Sequence, residues 1–246
     1  MQPLSVPCLR DLSTPTKALF SAFLITIGFG YLSALYLLYS AEIQPYAAQG
    51  ISMVQGLQMK YHGSRGTTRL EAMLKGSMAP YATPAQRDEI IQWIHDGATA
   101  AGFEKIKPIL ASACASCHSG NTGSVAPLVT YQQVRKMVVF DDGQSFAQLA
   151  SDSHIHLFGM SFIFLLTGAI FSLSRLNGTA KLCILVMPYA AIWADVGSWW
   201  LTKLQPLFAY VVLIGGTLMG ISMAVQILLP LWQMWIRPAA AAASRA

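Results

Sequence analysis

Four long stretches without charge most constrain what this chain can fold into. Residues 18–41, "ALFSAFLITIGFGYLSALYLLYSA", run 24 positions with no Asp, Glu, Lys or Arg. A helix crossing a bilayer needs roughly 20 such residues. A cleaved leader would carry an apolar core of about 7–15 residues and small residues before the cut. This run is longer, and Tyr39 stands where a small residue would be wanted. The reading is an uncleaved span. Residues 157–174 are uncharged between His156 and Arg175, residues 182–202 hold one acid, Asp195, and residues 206–229 are uncharged again. Trp232 and Trp235 follow in "PLWQMWIR", as in an interfacial aromatic belt. Gly216 and Gly220 have the spacing of close helix packing, within the bundle or between subunits.

The composition agrees with a membrane protein. Only 11% of the 246 residues are charged, against about 25% in soluble domains. Residues 42–153 are electrically neutral, with nine basic and nine acidic side chains. The basic excess therefore lies near the apolar segments, and no Lys/Arg run suits nucleic acid. Arg10, Lys17, Arg175, Lys181, Arg237 and Arg245 fall on one side of a four-span arrangement, with Lys203 alone in the short loop opposite. Cytoplasmic loops carry such an excess. Both termini are therefore expected in the cytoplasm of a bacterium, and residues 42–153 in the periplasm.

This insert reads as short helices and turns. "TPAQRDEIIQWIHDG" has a capping-box pair, Thr83 and Gln86, with Pro84 in the first turn and Gly97 after the last. Thr130 with Gln133 and Ser145 with Gln148 repeat the capping spacing. "FEKIKPILASAC" repeats apolar positions at Phe103, Ile106, Ile109 and Leu110, with Pro108 expected to break or restart the helix. No alternation marks a strand.

"CASCH" at 114–118 carries the chemistry. Two thiols separated by two residues can add across the two vinyl groups at one porphyrin edge. The next residue, a histidine, can then place its imidazole on the iron. The reading is one covalent haem c, with thioethers at Cys114 and Cys117 and His118 as proximal ligand. A redox dithiol pair would sit in a βαβ unit, which is not visible here. A zinc site would need further ligands, and the only other cysteines, Cys8 and Cys183, are expected on the cytoplasmic side or within the membrane. A haem b held between histidines of different spans is not expected within one chain. Only His154 and His156 lie near a span, about 200° apart around a helix; a partner subunit could supply a ligand.

"FEKIKPILASACASCHSG" resembles the N-terminal piece of class I c-type cytochrome domains, a helix followed at once by the attachment motif. "GSMAPYATPAQRDEIIQWIHDGA" is similar to their C-terminal piece, a distal methionine before a last helix. The two pieces, about 60 residues together, stand in reversed order. Either the domain is circularly permuted, or residues 42–100 form a first cytochrome-like unit without an attachment motif of its own. The resemblance implies Met78 as distal iron ligand; the alternatives are His62, Met137, His154 and His156. His95 is read as structural.

Asp195 is an ionisable group inside a span, where such groups are functional hypotheses by default. His154, His156 and Trp199 fall at the same membrane side, so a quinol and proton site is conceivable there. The rival reading is an acid paired with a neighbouring histidine, or lying at the interface.

The expected architecture is all-α: an N-terminal segment 1–17, a first span 18–41, a helical haem domain 42–153 inserted between helices one and two, a three-helix region 154–237 and a tail 238–246. The expected function is single-electron transfer at the periplasmic face by a membrane-bound monohaem cytochrome c, as part of a respiratory or photosynthetic assembly. Expected partners are membrane lipid, integral electron-transfer subunits or periplasmic redox proteins, and quinone. Rival functions are quinol oxidation with transfer to the haem, and haem-based sensing.

Overall fold

The computed structural model describes residues 8–120 and 125–236. Arg237 and Arg245, the tail 238–246 and the first seven residues lie outside them. Every element among the described residues is helical, save one isolated bridge between Thr68 and Phe140. Four helices are long and apolar enough to cross a membrane. The chain divides into two compact units.

The first unit takes residues up to Leu35, Ala147–Trp199 and the chain from Tyr210 onward. Its helices are α1 (Thr14–Leu38), α9 (Phe146–Ser172), α10 (Gly178–Leu204) and α11 (Ala209–Trp235), the last residues of α1 and α10 and the first residue of α9 and α11 belonging to the other unit. α9 begins well before residue 157, so the second span is longer at its start than the uncharged run alone indicates. Polar side chains join these helices. Pro188 lacks an N–H, so the Ile184 carbonyl one turn earlier has no partner in its own helix. Gln226 of α11 donates to that carbonyl at 2.9 Å and accepts from the Thr167 hydroxyl of α9 at 2.7 Å. Unsatisfied backbone is costly in lipid, and one amide thereby serves three helices. Gln233 repeats the device, accepting from the Arg175 N–H at 2.8 Å in the α9–α10 turn. Of the glycines in α11, Gly215 and Gly220 make the close approaches. A Cβ on Gly215 would lie 3.1 Å from Asp195 Cβ, and one on Gly220 2.5 Å from the Tyr31 hydroxyl; Gly216 faces open space.

The second unit takes Tyr36–Phe146 together with Trp200–Ala209. The path of α1 continues through a π-type turn, Tyr39–Ile43, into α2 (Gln44–Ala47). α3 (Met53–Tyr61), α4 (Arg69–Lys75), α5 (Pro84–His95), α6 (Ala100–Ile109), α7 (Ala115–His118) and α8 (Tyr131–Arg135) follow. Capping explains most of the starts. Thr83/Gln86 and Thr130/Gln133 form complete capping boxes, as their spacing predicts. Ser52/Gln55 forms a third, and Thr68 caps α4 through Glu71 N–H. α5 and α6 pack through Trp93 and Phe103, ring centroids 6.2 Å apart, and Phe103 meets Tyr131 edge-on at 5.8 Å. Gly102 admits this approach, since a Cβ there would fall 2.8 Å from Trp93 Cδ1. Ile90, Ile106, Leu110 and Val134 complete the core.

Turns close the unit. Gly63 and Gly143 both have positive φ, and a side chain on either would collide with the other's backbone. Between them Asp141 is buried, its carboxylate accepting from Ser64 N–H at 2.7 Å and Gly143 N–H at 3.2 Å. The 200–209 segment is held here too. Gln58 donates to the Pro206 carbonyl at 3.2 Å, and buried Lys203 donates to the Asp142 carbonyl at 2.8 Å.

Candidate functional site

The attachment motif lies at the end of one long helical path. α6 does not stop at Pro108; it opens into a π-type turn, Leu110–Cys114, and proceeds as α7 through His118. On a helix, residues three and four apart share a face. Cys114, Cys117 and His118 stand at those spacings, so helical geometry turns the two thiols and the imidazole to one side. Cys114 is half-buried and packs against the apolar core, while Cys117 is exposed. Burial pushes the Cys114 thiol above its ordinary range.

His118 is fixed from behind. Its Nδ1 lies 2.6 Å from the Ala126 carbonyl, and its own carbonyl accepts from Leu128 N–H at 2.9 Å. A carbonyl can only accept, so Nδ1 carries the hydrogen and Nε2 keeps its lone pair. Anchoring one ring nitrogen on a carbonyl is how metal-binding histidines are oriented. Among the described residues no three His, Cys, Asp or Glu side chains group around a common point. A haem asks for no such group, because the porphyrin supplies four of the iron's ligands. The residues present fit that prosthetic group: two thiols and an oriented imidazole on one helical face, backed by an apolar core.

The other ligand candidates are scattered in their surroundings. Met78 heads the short turn Ala79–Tyr81, its N–H on the Met73 carbonyl at 3.0 Å. Met137 packs on the same core as Cys114. His62 places Nδ1 3.0 Å from the Lys203 carbonyl. His95 bonds Glu71 at 3.3 Å through Nε2, in line with a structural role. Glu71 is only 4% exposed and also meets Lys75 at 2.6 Å. Its burial works to raise the carboxyl, but hydrogen bonds from Lys75 and His95 prevail and hold it below its ordinary range.

In the first unit, three of the four residues of the conceivable quinol site come into contact. Trp199 Nε1 donates to Asp195 Oδ1 at 3.3 Å, and the His156 ring meets Trp199 edge-on, centroids 5.0 Å apart. His154 turns instead to Phe158, at 4.6 Å. Sequence reading passed over Gln226, Thr167 and Gln233. Their signal was polarity inside an apolar run, with Pro188 four residues beyond the carbonyl it frees.

These features define a multi-pass membrane protein. Residues 121–241, just under half of the chain, match the model of a family described as a transmembrane helical domain. The match begins past His118, so it bears on the last three spans and not on the first span, Cys114 or Cys117. No curated protein and no solved structure matches the chain.

Proposed function

We propose that this chain is a membrane-anchored c-type cytochrome that carries single electrons, with its haem on the periplasmic side. The observation that carries the reading is the orientation of His118 within CASCH: Nδ1 held by the Ala126 carbonyl, Nε2 left for iron. Cys114 and Cys117 would hold the porphyrin by thioethers, each formed when S and H add across a vinyl C=C. A bound haem supplies reversible one-electron exchange at iron. The chain's part is to tether it, to orient one axial imidazole, and to keep one edge against the apolar residues around Cys114. Met78 is the distal ligand that the cytochrome resemblance implies, and it would raise the potential relative to a second histidine. The neutral charge of residues 42–153 offers no strong electrostatic selection of one partner, so integral electron-transfer subunits and periplasmic redox proteins both suit.

Expression in a bacterium that attaches haem c should give a chain whose haem survives acid–acetone extraction and yields a c-type pyridine haemochrome, one per chain. The double variant Cys114→Ala/Cys117→Ala should lose all extraction-resistant haem. A wild-type chain without covalent haem under those conditions overturns the proposal. For the sidedness, Asp88→Cys on exposed α5 should react with a membrane-impermeant maleimide in spheroplasts; labelling only after lysis would place the domain in the cytoplasm.

A further inference from the structure

Asp195 is 7% exposed within an apolar helix, and burying a carboxyl there is costly unless it serves a ligand or finds full pairing. Its pairing is partial: among the described residues Trp199 Nε1 is the one hydrogen-bond donor to it, at Oδ1. The main chain of α11 backs it at Gly215, where a Cβ would come within 3.1 Å of Asp195 N. Beyond the indole stands His156. Its Nδ1 lies 2.8 Å from the Asp152 carbonyl, so Nδ1 carries the hydrogen and Nε2 carries a lone pair. One indole is thus flanked by two hydrogen-bond acceptors, Asp195 Oδ2 and His156 Nε2, on helices that cross lipid. A ligand reaching them arrives through the bilayer and carries an apolar tail. Its head complements two acceptors and an aromatic wall if it is a flat ring with two O–H groups.

We propose that Asp195, Trp199 and His156 form a headgroup site for a lipid-borne hydroquinone. The site deepens the electron-carrier reading and rests on it only for where electrons go; headgroup binding stands on these three side chains alone. Asp195 and His156 accept the two hydroxyl hydrogens, and Trp199 supplies the ring contact while fixing the carboxyl.

The test uses the full chain in lipid nanodiscs with decylubiquinol as probe, under dithionite so that it stays a hydroquinone, and with protein-free nanodiscs as the partition control. Saturable binding is expected, with an infrared difference band in the carboxyl C=O region on ligand addition. Asp195→Asn should abolish the band and weaken binding at least tenfold, and Trp199→Phe should weaken it several-fold. Absence of saturable binding, or equal affinity in both variants and wild type, overturns the proposal. If Asp195→Asn fails to fold by circular dichroism, Trp199→Phe and His156→Phe decide on the same criterion. A haemochrome spectrum of each sample separates the two proposals. Binding without covalent haem sinks the electron carrier and leaves this site standing, and covalent haem without binding does the reverse.

Discussion

The two units are built inside out relative to one another. In the first, many large apolar side chains point away from the protein, Phe29, Phe162, Trp193 and Leu228 among them, while Thr167, Gln226 and Gln233 are buried along with Phe164 and Phe171. In the second, Trp93, Phe103, Ile106 and Val134 are buried, and the polar groups beneath the surface, Glu71 and Asp141, are each tied by several hydrogen bonds. The contrast follows from the two solvents. Lipid gives no hydrophobic reason for apolar helices to associate, so the first unit is held by close glycines and shared amides. Water supplies that reason to the second, which gathers its aromatic rings inward.

The largest test of this contrast removes one aromatic ring from each unit. Phe103→Ala takes out a ring packed between Trp93 and Tyr131, and should cost about 3–5 kcal/mol. Phe162→Ala removes a ring that is 62% exposed on α9, and should change stability by no more than about 0.5 kcal/mol. Thermal unfolding followed by circular dichroism in lipid measures both. Equal losses would mean that Phe162 is covered by protein, and the inside-out comparison would fail for α9.

The opposite substitution probes the glue of the first unit. Gln226→Leu keeps the volume but strands the Ile184 carbonyl that Pro188 leaves unbonded, and removes the inter-helix partner of the Thr167 hydroxyl, which keeps the Ile163 carbonyl at 2.9 Å. Two membrane hydrogen bonds at about 0.6 kcal/mol each predict a loss on the order of 1 kcal/mol. Restoring the helical N–H with Pro188→Ala should roughly halve the loss caused by Gln226→Leu. A double-mutant cycle reads that coupling, and additive losses would show that the amide does not serve that carbonyl.

What could be read in the sequence divides along the same line. The four spans are legible because lipid demands long uncharged runs, and α5 and α8 because their capping boxes are local: Thr83 and Gln86 need only each other. Ser52/Gln55 was equally local and was passed over. The start of α9 at Phe146 was marked by the Ser145/Gln148 spacing, but its continuity with the second span was not legible. Its first turns hold Gln148, Asp152 and His154, so they read as hydrophilic insert although the helix is continuous. Pro108 was expected to break or restart the helix, yet α6 runs through it and the widened turn at Leu110–Cys114 carries the path onward to the cysteines. At the attachment motif, residue types and spacing were visible in five letters, whereas the anchor of His118 was not. Ala126 contributes only a carbonyl, and a backbone acceptor has no sequence signature. Asp195 stood out as an acid in a span, and Trp199 four residues on shares its helical face; which of His154 and His156 meets that indole depends on how α9 and α10 are rotated.

The smallest effect concerns charge, and it belongs to the second unit alone. Glu71 holds Lys75 and His95 from a buried position, linking α4 to α5. Its carboxyl is below its ordinary value of 4.5 in the folded chain, burial opposing the shift and hydrogen bonds from Lys75 and His95 driving it. The folded state therefore binds that proton less readily than the unfolded one. Stability from this group is fully present above about pH 4.5 and is lost as pH falls through the lowered folded value. Because burial cancels part of the attraction, the acid limb should be shallow. Glu71→Gln should flatten it while leaving the first unit's helices unchanged. Urea unfolding of the full chain between pH 3 and 6, followed by Trp93 fluorescence in a chain whose other tryptophans are phenylalanine, isolates the second unit. An acid limb as steep in Glu71→Gln as in wild type would assign the loss to another carboxylate, with Asp141 the next to test because it too is buried under hydrogen bonds from the backbone.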